Sequence, residues 1–218
     1  MIKAIIFDMD GVIVDSEPLN KEADKWVCEQ YGIKVPASEW NNLKGKTNRD
    51  IFSYLIDNFS EGGNFNPEEL SQAKKRRYLE IAPLRISLVE GSKDFIHQIR
   101  QLADKIALTT SSSKAIQEMT FNIFDLHDYF DEIVTGDEIN NGKPHPESYL
   151  KTLEKLKIEP RHAVVIEDSV NGIRAAKAAG CRTIGITTSF PKDTLKNAGA
   201  DYAVDKFEEI YRVILDNY

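Results

Sequence analysis

Hydrophobic runs that suit buried strands recur along this chain. They are short and rich in β-branched residues, and they lie at residues 4–7, 106–108, 163–166 and 183–186 and, more weakly, around Ile133 and Ala203. Runs that are apolar on both faces are typical of the central strands of a parallel sheet. The pattern therefore predicts a sheet whose two faces are both covered.

Helical patterns fill the gaps between these runs from Val89 onward. Leu150, Leu153 and Leu156 share one face of a predicted helix, and Gly180 ends another helical stretch as a left-handed cap. Strand and helix alternate in this part of the chain. This alternation predicts an α/β fold with a doubly wound parallel (Rossmann-like) sheet.

The long stretch between the first strand and the next convincing one shows helical patterns only. Leu19, Ala23 and Val27 begin the first of three apolar stripes at helical spacing. An inserted domain is the simplest explanation. The predicted domains are an α/β catalytic core at residues 1–15 and 84–218 and an all-helical domain at residues 16–83.

Charge and hydropathy argue against nucleic-acid and membrane partners. The 218 residues carry a formal net charge of −7, which gives no broad basic surface. The basic run at residues 74–77 spreads around a helix, and we expect it to be a solvated face. The apolar run that ends before Asp8 is too short for a signal peptide or a membrane span.

Cysteine usage bears on the compartment. Cys28 and Cys181 are too few for a disulfide framework and lack the spacing of metal ligands. We therefore expect a cytoplasmic protein, and we expect it to be a monomer.

Polar side chains follow the predicted strands at their carboxyl ends, where ligands bind in open parallel sheets. They are Asp8, Asp10, Thr110, Ser111, Glu167 and Asp168. Lys143 lies in the loop "NGKPHPE", before a helix and within reach of the same edge. The prediction is one site that contains an oxygen cage, a hydroxyl group and a lysine.

This set of groups favours phosphoryl chemistry around a hard cation. Several carboxylates at one point repel each other unless a cation lies between them. Oxygen ligands without histidine or thiolate favour Mg²⁺, with room for water and a phosphate group. Lys143 and Thr110 supply a positive charge and a hydrogen bond to a phosphoryl oxygen, and Asp8 is placed to attack phosphorus.

Each of these residues also has an ordinary structural interpretation. Aspartate and glycine often end strands as turn formers, and Glu167 and Asp168 fit a turn and helix cap. A lone lysine such as Lys143 is most often solvated. The coincidence of all positions at one sheet edge favours the functional interpretation.

The same segments resemble the motifs of a known family. "FDMDGV" resembles the first motif of the haloacid dehalogenase superfamily of phosphohydrolases, "LTTS" the second, the lysine of "NGKPHPE" the third and "VIEDSVNG" the fourth. The predicted helical domain after the first motif is similar to the helical cap of the phosphatase and β-phosphoglucomutase branch. The resemblance covers the whole chain.

The resemblance implies a role for each core residue. Asp8 would form an aspartyl-phosphate, and Asp10 would act as general acid and then as general base. Thr110 and Lys143 would hold the phosphoryl group, with Ser111 as a further contact. The implied Mg²⁺ ligands are the carboxylates of Asp8 and Asp168 and the backbone carbonyl of Asp10, with Glu167 as an outer partner. Adjacent residues on a strand point to opposite faces, so Asp168 is favoured over Glu167 for direct coordination.

Substrate choice would fall to the helical domain. The candidate substrate-binding residues there are Asn20, Gly45, Lys46, Thr47, Asn48 and Arg49. Asn20 and Asn48 occupy the positions at which the mutases of the branch carry a histidine and an arginine, and Arg49 is one residue out of step. This departure favours hydrolysis over isomerisation. Asp10 argues against cleavage of C–Cl or C–P bonds.

The predicted function is a Mg²⁺-dependent phosphatase that acts on a small phosphorylated metabolite resembling a sugar phosphate. One alternative is a phosphohexomutase of the β-phosphoglucomutase type. A second alternative is a phospho-accepting signalling module of the receiver type, which uses a similar set of residues. The early Asp-x-Asp and the helical insertion argue against the receiver.

Overall fold

The hydrophobic runs form the strands of a parallel sheet. The computed structural model describes residues 2–43, 47–63 and 65–217. The strands are β1 (Ala4–Phe7), β2 (Val14–Asp15), β3 (Ser87–Leu88), β4 (Lys105–Thr109), β5 (Glu132–Val134), β6 (Ala163–Glu167), β7 (Arg182–Ile186) and β8 (Tyr202–Val204). Within the described residues, six of them form one sheet in the order β5-β4-β1-β6-β7-β8, and every neighbouring pair is parallel. The predicted doubly wound fold is confirmed.

From Ser92 onward the helices alternate with these strands, as the pattern predicts, whereas three helices of the described residues follow one another between β2 and β3. In chain order they are α1 (Glu17–Gln30), α2 (Asn48–Phe59), α3 (Pro67–Ile81), α4 (Ser92–Arg100), α5 (Lys114–Phe124), α6 (Glu147–Leu156), α7 (Val170–Ala178), α8 (Lys192–Asn197) and α9 (Phe207–Asn217). No helix in the described ranges is both long enough and apolar enough to cross a bilayer.

The structure divides into two compact units. One consists of Met1–Asp15 and Ser87–Tyr218, and the other of Ser16–Ile86. The first unit holds the parallel sheet, together with the short antiparallel pair β2 and β3. The second unit is helical and contains α1, α2 and α3.

Strand β1 lies between β4 and β6 and is buried along its whole length. Successive side chains of a strand point to opposite faces, so its apolar residues serve two cores. Ile6 packs in a cluster with Tyr149 and Ala175, which belong to α6 and α7. Phe7 makes edge-to-face contacts with Phe95 of α4 and with Phe130, each with ring centroids 5.9 Å apart. A strand covered on both faces is rigid, and its end is therefore a firm support for reactive groups.

Two central strands extend one residue beyond their apolar runs. Thr109 pairs with Val134, and Glu167 pairs with Gly185, so both polar residues belong to the sheet. Both are buried. The pairing of the strands can continue past the apolar run because each of these buried side chains has a polar partner. The partners of Glu167 belong to the candidate site.

The helical unit has a core of its own. Val27, Phe52, Leu55 and Leu70 are buried together in one cluster. Two of its helices begin at side-chain caps, since Thr47 accepts a hydrogen bond from the amide of Asp50 at the start of α2 and Asn66 accepts one from the amide of Glu68 at the start of α3. This unit is therefore a packed domain in its own right.

The expectation of a solvated face at residues 74–77 is wrong for Lys74. Lys74 is only 5% exposed, and its Nζ lies 2.9 Å from Oδ1 of Asp24 and donates to Oδ1 of Asn48 at 2.8 Å. Arg77 lies over the ring of Trp26, 5.5 Å from its centroid. A charge run on a helix exposes only part of its positions, and the position that faces the core here is neutralised by the buried Asp24.

Candidate active site

Lys143 joins three strand ends of the sheet. Its Nζ lies 2.7 Å from Oδ1 of Asp8 and 2.7 Å from Oε1 of Glu167, which stand at the ends of β1 and β6. A third and longer contact, at 3.4 Å, reaches the carbonyl oxygen of Thr109 at the end of β4. All three side chains are buried or nearly so, with exposed fractions of 7% for Lys143, 9% for Asp8 and 1% for Glu167. The loop lysine predicted from the sequence thus lies among the predicted carboxylates.

Asp8 is held by the sheet itself. It follows β1 directly, and its amide donates to the carbonyl oxygen of Ile166 on β6 at 3.0 Å. Burial is the largest influence on this carboxyl group, and the nearby charges of Glu167 and Asp10 add to it. These effects outweigh Lys143 and raise the pKa of Asp8 to about 7. Without a further cation, the charged form of Asp8 is therefore costly.

Asp168 lies beside Asp8 in the same buried region. Burial, followed by the charges of Glu167 and Asp8, raises the pKa of Asp168 well above its ordinary value. Carboxylate oxygens of Asp8, Glu167 and Asp168 all lie within 4.8 Å of one another. Two buried carboxyl groups that resist ionisation, in a donor set made only of oxygens, fit a small hard cation such as Mg²⁺.

Glu167 is occupied by intramolecular donors. Its Oε1 accepts hydrogen bonds from Lys143 and from the hydroxyl of Tyr149 at 3.0 Å. Its Oε2 accepts from the amide of Asp168 at 3.0 Å and from the amide and hydroxyl of Ser169, each at 2.9 Å. Burial opposes ionisation, but Lys143 and Ser169 outweigh it and hold the pKa of Glu167 below its ordinary value. A carboxylate with both oxygens engaged is better suited to orient its neighbours than to bind a metal directly.

Lys143 keeps its charge in this setting. Burial alone would lower the pKa of Lys143, but the charges of Asp8 and Glu167 outweigh it and raise the pKa well above its ordinary value. The site therefore holds a permanent cation beside Asp8, available to a phosphoryl group.

Two glycines permit the close approach of these groups. Gly11 has φ +78°, and a Cβ at this position would lie 2.0 Å from Oδ2 of Asp168. A Cβ at Gly172 would lie 1.6 Å from Oε1 of Glu167. Both positions therefore need glycine for space, and Gly11 also needs it for its backbone conformation.

The loop after β4 holds Asp10. The hydroxyl of Ser112 donates to Oδ2 of Asp10 at 2.7 Å, and the amide of Ser112 donates to Oγ1 of Thr110 at 3.0 Å. Thr110 is buried, whereas Ser111 is exposed. The structure thus brings Thr110 and Asp10 together through Ser112, and the described hydrogen bonds of this loop give Ser112, rather than Ser111, the contact with the predicted acid and base.

Several polar residues at this edge were not predicted as site residues. Besides Ser112 they are Tyr149, which reaches Glu167, Ser189, which hydrogen-bonds Asp168, and Thr188, whose hydroxyl donates to the carbonyl oxygen of Gly11 at 2.5 Å. Ser189 and Thr188 follow β7, so the rule that carboxyl ends of strands meet at one edge was the signal that could have found them. Tyr149 lies in the first turn of α6. Its apolar neighbours Leu153 and Leu156 indicate a buried helix face, but they do not indicate that the tyrosine hydroxyl reaches the site.

The predicted substrate-binding residues lie in the helical unit. Asn20 donates to the carbonyl oxygen of Ser16 at 3.2 Å, Thr47 caps α2, and Asn48 accepts from Lys74. Arg49 is exposed on α2. The other two candidates, Gly45 and Lys46, lie outside the described residues. Substrate selection by these residues stays a prediction.

The buried Asp8, Lys143, Glu167 and Asp168 are the residues on which the sequence resemblance rests. A family model described as haloacid dehalogenase-like hydrolase matches residues 5–186, which includes all four. This chain belongs to the haloacid dehalogenase-like hydrolase family. The match covers the helical unit and the sheet from β1 to the end of β7.

Relatives of this family are similar along almost the whole chain. A phosphorylated carbohydrates phosphatase of Thermotoga maritima is 35% identical over 217 residues, which is 98% of both chains. Hexitol phosphatase B of Escherichia coli is 29% identical and covers 96% of this chain and 94% of its own. The crystal structure of CbbY from Rhodobacter sphaeroides in complex with phosphate superposes with a TM-score of 0.84 at 29% identity, over 96% of each chain. The family resemblance predicted from the motifs is confirmed.

Proposed function

We propose that this protein is a Mg²⁺-dependent phosphatase that hydrolyses a small sugar phosphate through an aspartyl-phosphate on Asp8. The observation that carries the proposal is the position of Lys143 between Asp8 and Glu167, at 2.7 Å from each, with Asp168 beside them. Two relatives are named as phosphatases of phosphorylated carbohydrates and of hexitols, which supports this class of substrate.

In the first half of the reaction, a carboxylate oxygen of Asp8 attacks phosphorus. The P–O bond to the sugar breaks as the Asp8–phosphorus bond forms, and Asp10 gives a proton to the departing alkoxide. Lys143 stabilises the charge on the transferred phosphoryl oxygens, and Thr110 offers them a hydrogen bond. The 2.7 Å contact with Ser112 holds Asp10 in place.

In the second half, Asp10 takes a proton from water, and the water oxygen attacks phosphorus. The Asp8–phosphorus bond breaks, inorganic phosphate leaves and Asp8 is regenerated. Two consecutive displacements at phosphorus return every group of the enzyme to its starting state. The product of each turnover is one free alcohol and one phosphate.

The residues present fit a bound Mg²⁺. The carboxylates of Asp8 and Asp168 and the backbone carbonyl of Asp10 would hold it, and Glu167 would orient Asp168 through its amide. When bound, the ion neutralises the buried carboxylates and offsets negative charge on the phosphoryl group. Burial raises the pKa of both Asp8 and Asp168, so the charged forms of these carboxyl groups need a cation that neutralises them.

The experiment is a turnover assay with p-nitrophenyl phosphate and a panel of sugar phosphates, with and without Mg²⁺. We expect many turnovers per enzyme with Mg²⁺, none for Asp8→Asn, and unchanged turnover for the control Asp94→Asn, an exposed acid on α4. Mass spectrometry of the acid-quenched enzyme should show one phosphoryl group, absent from Asp8→Asn. Substantial hydrolysis by Asp8→Asn would exclude this mechanism.

The same panel separates the alternatives. Conversion of β-glucose 1-phosphate to glucose 6-phosphate without phosphate release would indicate a mutase. A single phosphorylation without turnover would indicate a receiver-type module. Gel filtration with light scattering tests the expected monomer, and the cytoplasmic location likewise stays a prediction.

A further inference from the structure

Tyr149 is the buried neighbour of the Lys143–Glu167 ion pair. It has no exposed surface, and it lies in the first turn of α6, a few residues after Lys143. Its hydroxyl donates to Oε1 of Glu167 at 3.0 Å, the same oxygen that Lys143 reaches at 2.7 Å. Its ring centroid lies 4.9 Å from Nζ of Lys143. Tyr149 therefore contacts both partners of the pair.

Packing accounts for the ring of Tyr149 but not for its hydroxyl. The ring belongs to the core cluster that contains Ile6, Leu153 and Val165. A phenylalanine would fill this space equally well and would bring no polar atom into the core. A buried hydroxyl is costly unless it is hydrogen-bonded, and here its partner is the carboxylate that fixes the loop lysine.

The hydroxyl changes how Lys143 is shared. The ammonium lies 2.7 Å from each of two carboxylates, so its position depends on the balance between them. A second donor on Oε1 of Glu167 takes up part of the negative charge of that oxygen, which weakens its attraction for Nζ. The third acceptor of Lys143, the carbonyl oxygen of Thr109, is 3.4 Å away and too long to restrain the ammonium.

We propose that Tyr149 is a positioning residue for the phosphoryl-transfer site: its hydroxyl holds Glu167 and thereby keeps the Lys143 ammonium next to Asp8. The proposal rests on the proposed function, since the benefit of this placement is a cation beside the phosphoryl group. Without the hydroxyl, Oε1 of Glu167 keeps only Lys143, and the ammonium is drawn toward Glu167 and away from Asp8.

The test is Tyr149→Phe, which removes the hydroxyl and keeps the ring. The matched control is Tyr78→Phe, because Tyr78 is also a buried tyrosine, 2% exposed, and lies on α3 of the helical unit. With p-nitrophenyl phosphate and Mg²⁺, we expect kcat of Tyr149→Phe to fall about tenfold, which corresponds to a loss of about 1.4 kcal/mol of transition-state stabilisation. We expect KM to change less than about twofold, because the misplaced charge matters most in the transition state.

Thermal unfolding separates positioning from simple loss of stability. The proposal predicts that only Tyr149→Phe loses kcat when both variants are assayed at a temperature at which thermal unfolding shows them to be fully folded. A kcat of Tyr149→Phe within about twofold of the wild-type value would overturn it. So would an equal loss of kcat in both variants.

An NMR experiment that requires no catalytic turnover tests the role of Tyr149 independently of the proposed function. The ¹H–¹⁵N NMR signal of the Lys143 ammonium, assigned by its loss in Lys143→Arg, should shift in Tyr149→Phe and stay unchanged in Tyr78→Phe. If the wild-type protein hydrolyses no phosphate ester, the proposed function fails, and the NMR experiment still decides the role of Tyr149. An unchanged Lys143 signal in Tyr149→Phe overturns the positioning role.

Discussion

The Nζ of Lys143 lies 2.7 Å from Oδ1 of Asp8, although the two residues are 135 positions apart in the chain. The pair is buried and is shared with Glu167, whose other oxygen is held by the start of α7. The cation is thus fixed by β1, β6 and the loop before α6 together. Several properties of the protein follow from this arrangement.

Loss of the Lys143 charge should remove most of the activity. In Lys143→Met, the phosphoryl group loses its permanent cation, and we expect kcat/KM for p-nitrophenyl phosphate to fall by about 10²-fold or more. The control is Lys151→Met, since Lys151 lies on α6, the helix that follows the loop of Lys143, but contacts Glu138 away from the carboxylates. A kcat/KM of Lys143→Met close to that of the control would contradict a role for this ammonium in the reaction.

Substitutions of Asp168 and Glu167 should change thermal stability in different ways, the first through Mg²⁺ binding and the second through the buried ion pair. We expect Mg²⁺ to raise the melting temperature of the wild-type protein but not that of Asp168→Asn. The substitution should leave the melting temperature of the metal-free protein unchanged, because burial already disfavours the charge of Asp168. Glu167→Gln should destabilise the metal-free protein by about 3 kcal/mol, since it breaks a buried ion pair. Thermal denaturation with and without Mg²⁺ measures both effects. Persistence of the Mg²⁺-induced rise in Asp168→Asn would exclude Asp168 as a ligand.

An alanine at Gly172 should displace the carboxylate of Glu167. Its Cβ would lie 1.6 Å from Oε1 of Glu167, so the carboxylate must move away from Lys143 and Tyr149. We expect a loss of roughly 2 kcal/mol of unfolding free energy together with reduced kcat, although alanine normally stabilises a helix by about 1 kcal/mol. Gly142→Ala is the matched control, because a Cβ there meets no heavy atom within 4 Å. Urea unfolding and the phosphatase assay should separate the two variants, and equal stability would show that the predicted clash is relieved without cost.

Asp131 should make stability depend on pH in the acid range. Burial alone would raise its pKa, but hydrogen bonds from the amide of Ile106 at 2.8 Å and from Arg100 and Lys105 hold the pKa below its ordinary value. The folded protein therefore binds this proton less tightly than the unfolded chain does. The resulting stability is present above about pH 4, the ordinary carboxyl value, and is lost as pH falls through the lower pKa of the folded state.

The variant Asp131→Asn isolates this contribution. At neutral pH we expect it to be less stable than the wild type by roughly 1 kcal/mol, and the difference should shrink as the pH is lowered. The free energy of urea unfolding at several pH values measures it, with Asp128→Asn, an exposed acid on the preceding turn, as control. A difference in unfolding free energy that stays constant with pH would mean that the charge of Asp131 does not contribute to stability.

The sheet and the central site residues could be predicted because their signal lies within short stretches of sequence. β1 and the first four residues of β6 are apolar on both faces and are followed directly by acids, and the edge rule of parallel sheets then places Asp8 and Asp168 together. The family match across residues 5–186 confirms the resemblance found in the motifs. Where strand, turn and acid follow one another in the chain, periodicity and residue type carry the information.

The rest depends on contacts between distant residues, which periodicity does not encode. Nothing local in "KKRR" distinguishes the buried Lys74 from its less buried neighbours, because its partner Asp24 is 50 positions away. Ser112 and Ser111 are equally suited to a phosphate loop, and only the fold of the loop brings Ser112 to Asp10. The hydroxyl of Tyr149 meets Glu167 only after α6 has packed on the sheet.

The hydrogen bond from the amide of Asp8 to Ile166 has a consequence for the lifetime of the site. It continues the ladder between β1 and β6, at the centre of the sheet and away from its edges. Amide protons at such positions exchange with solvent only when the whole domain opens. Fraying of surface helices or loops therefore leaves Asp8 in place, and its carboxylate leaves the site only in the rare excursions in which the domain unfolds.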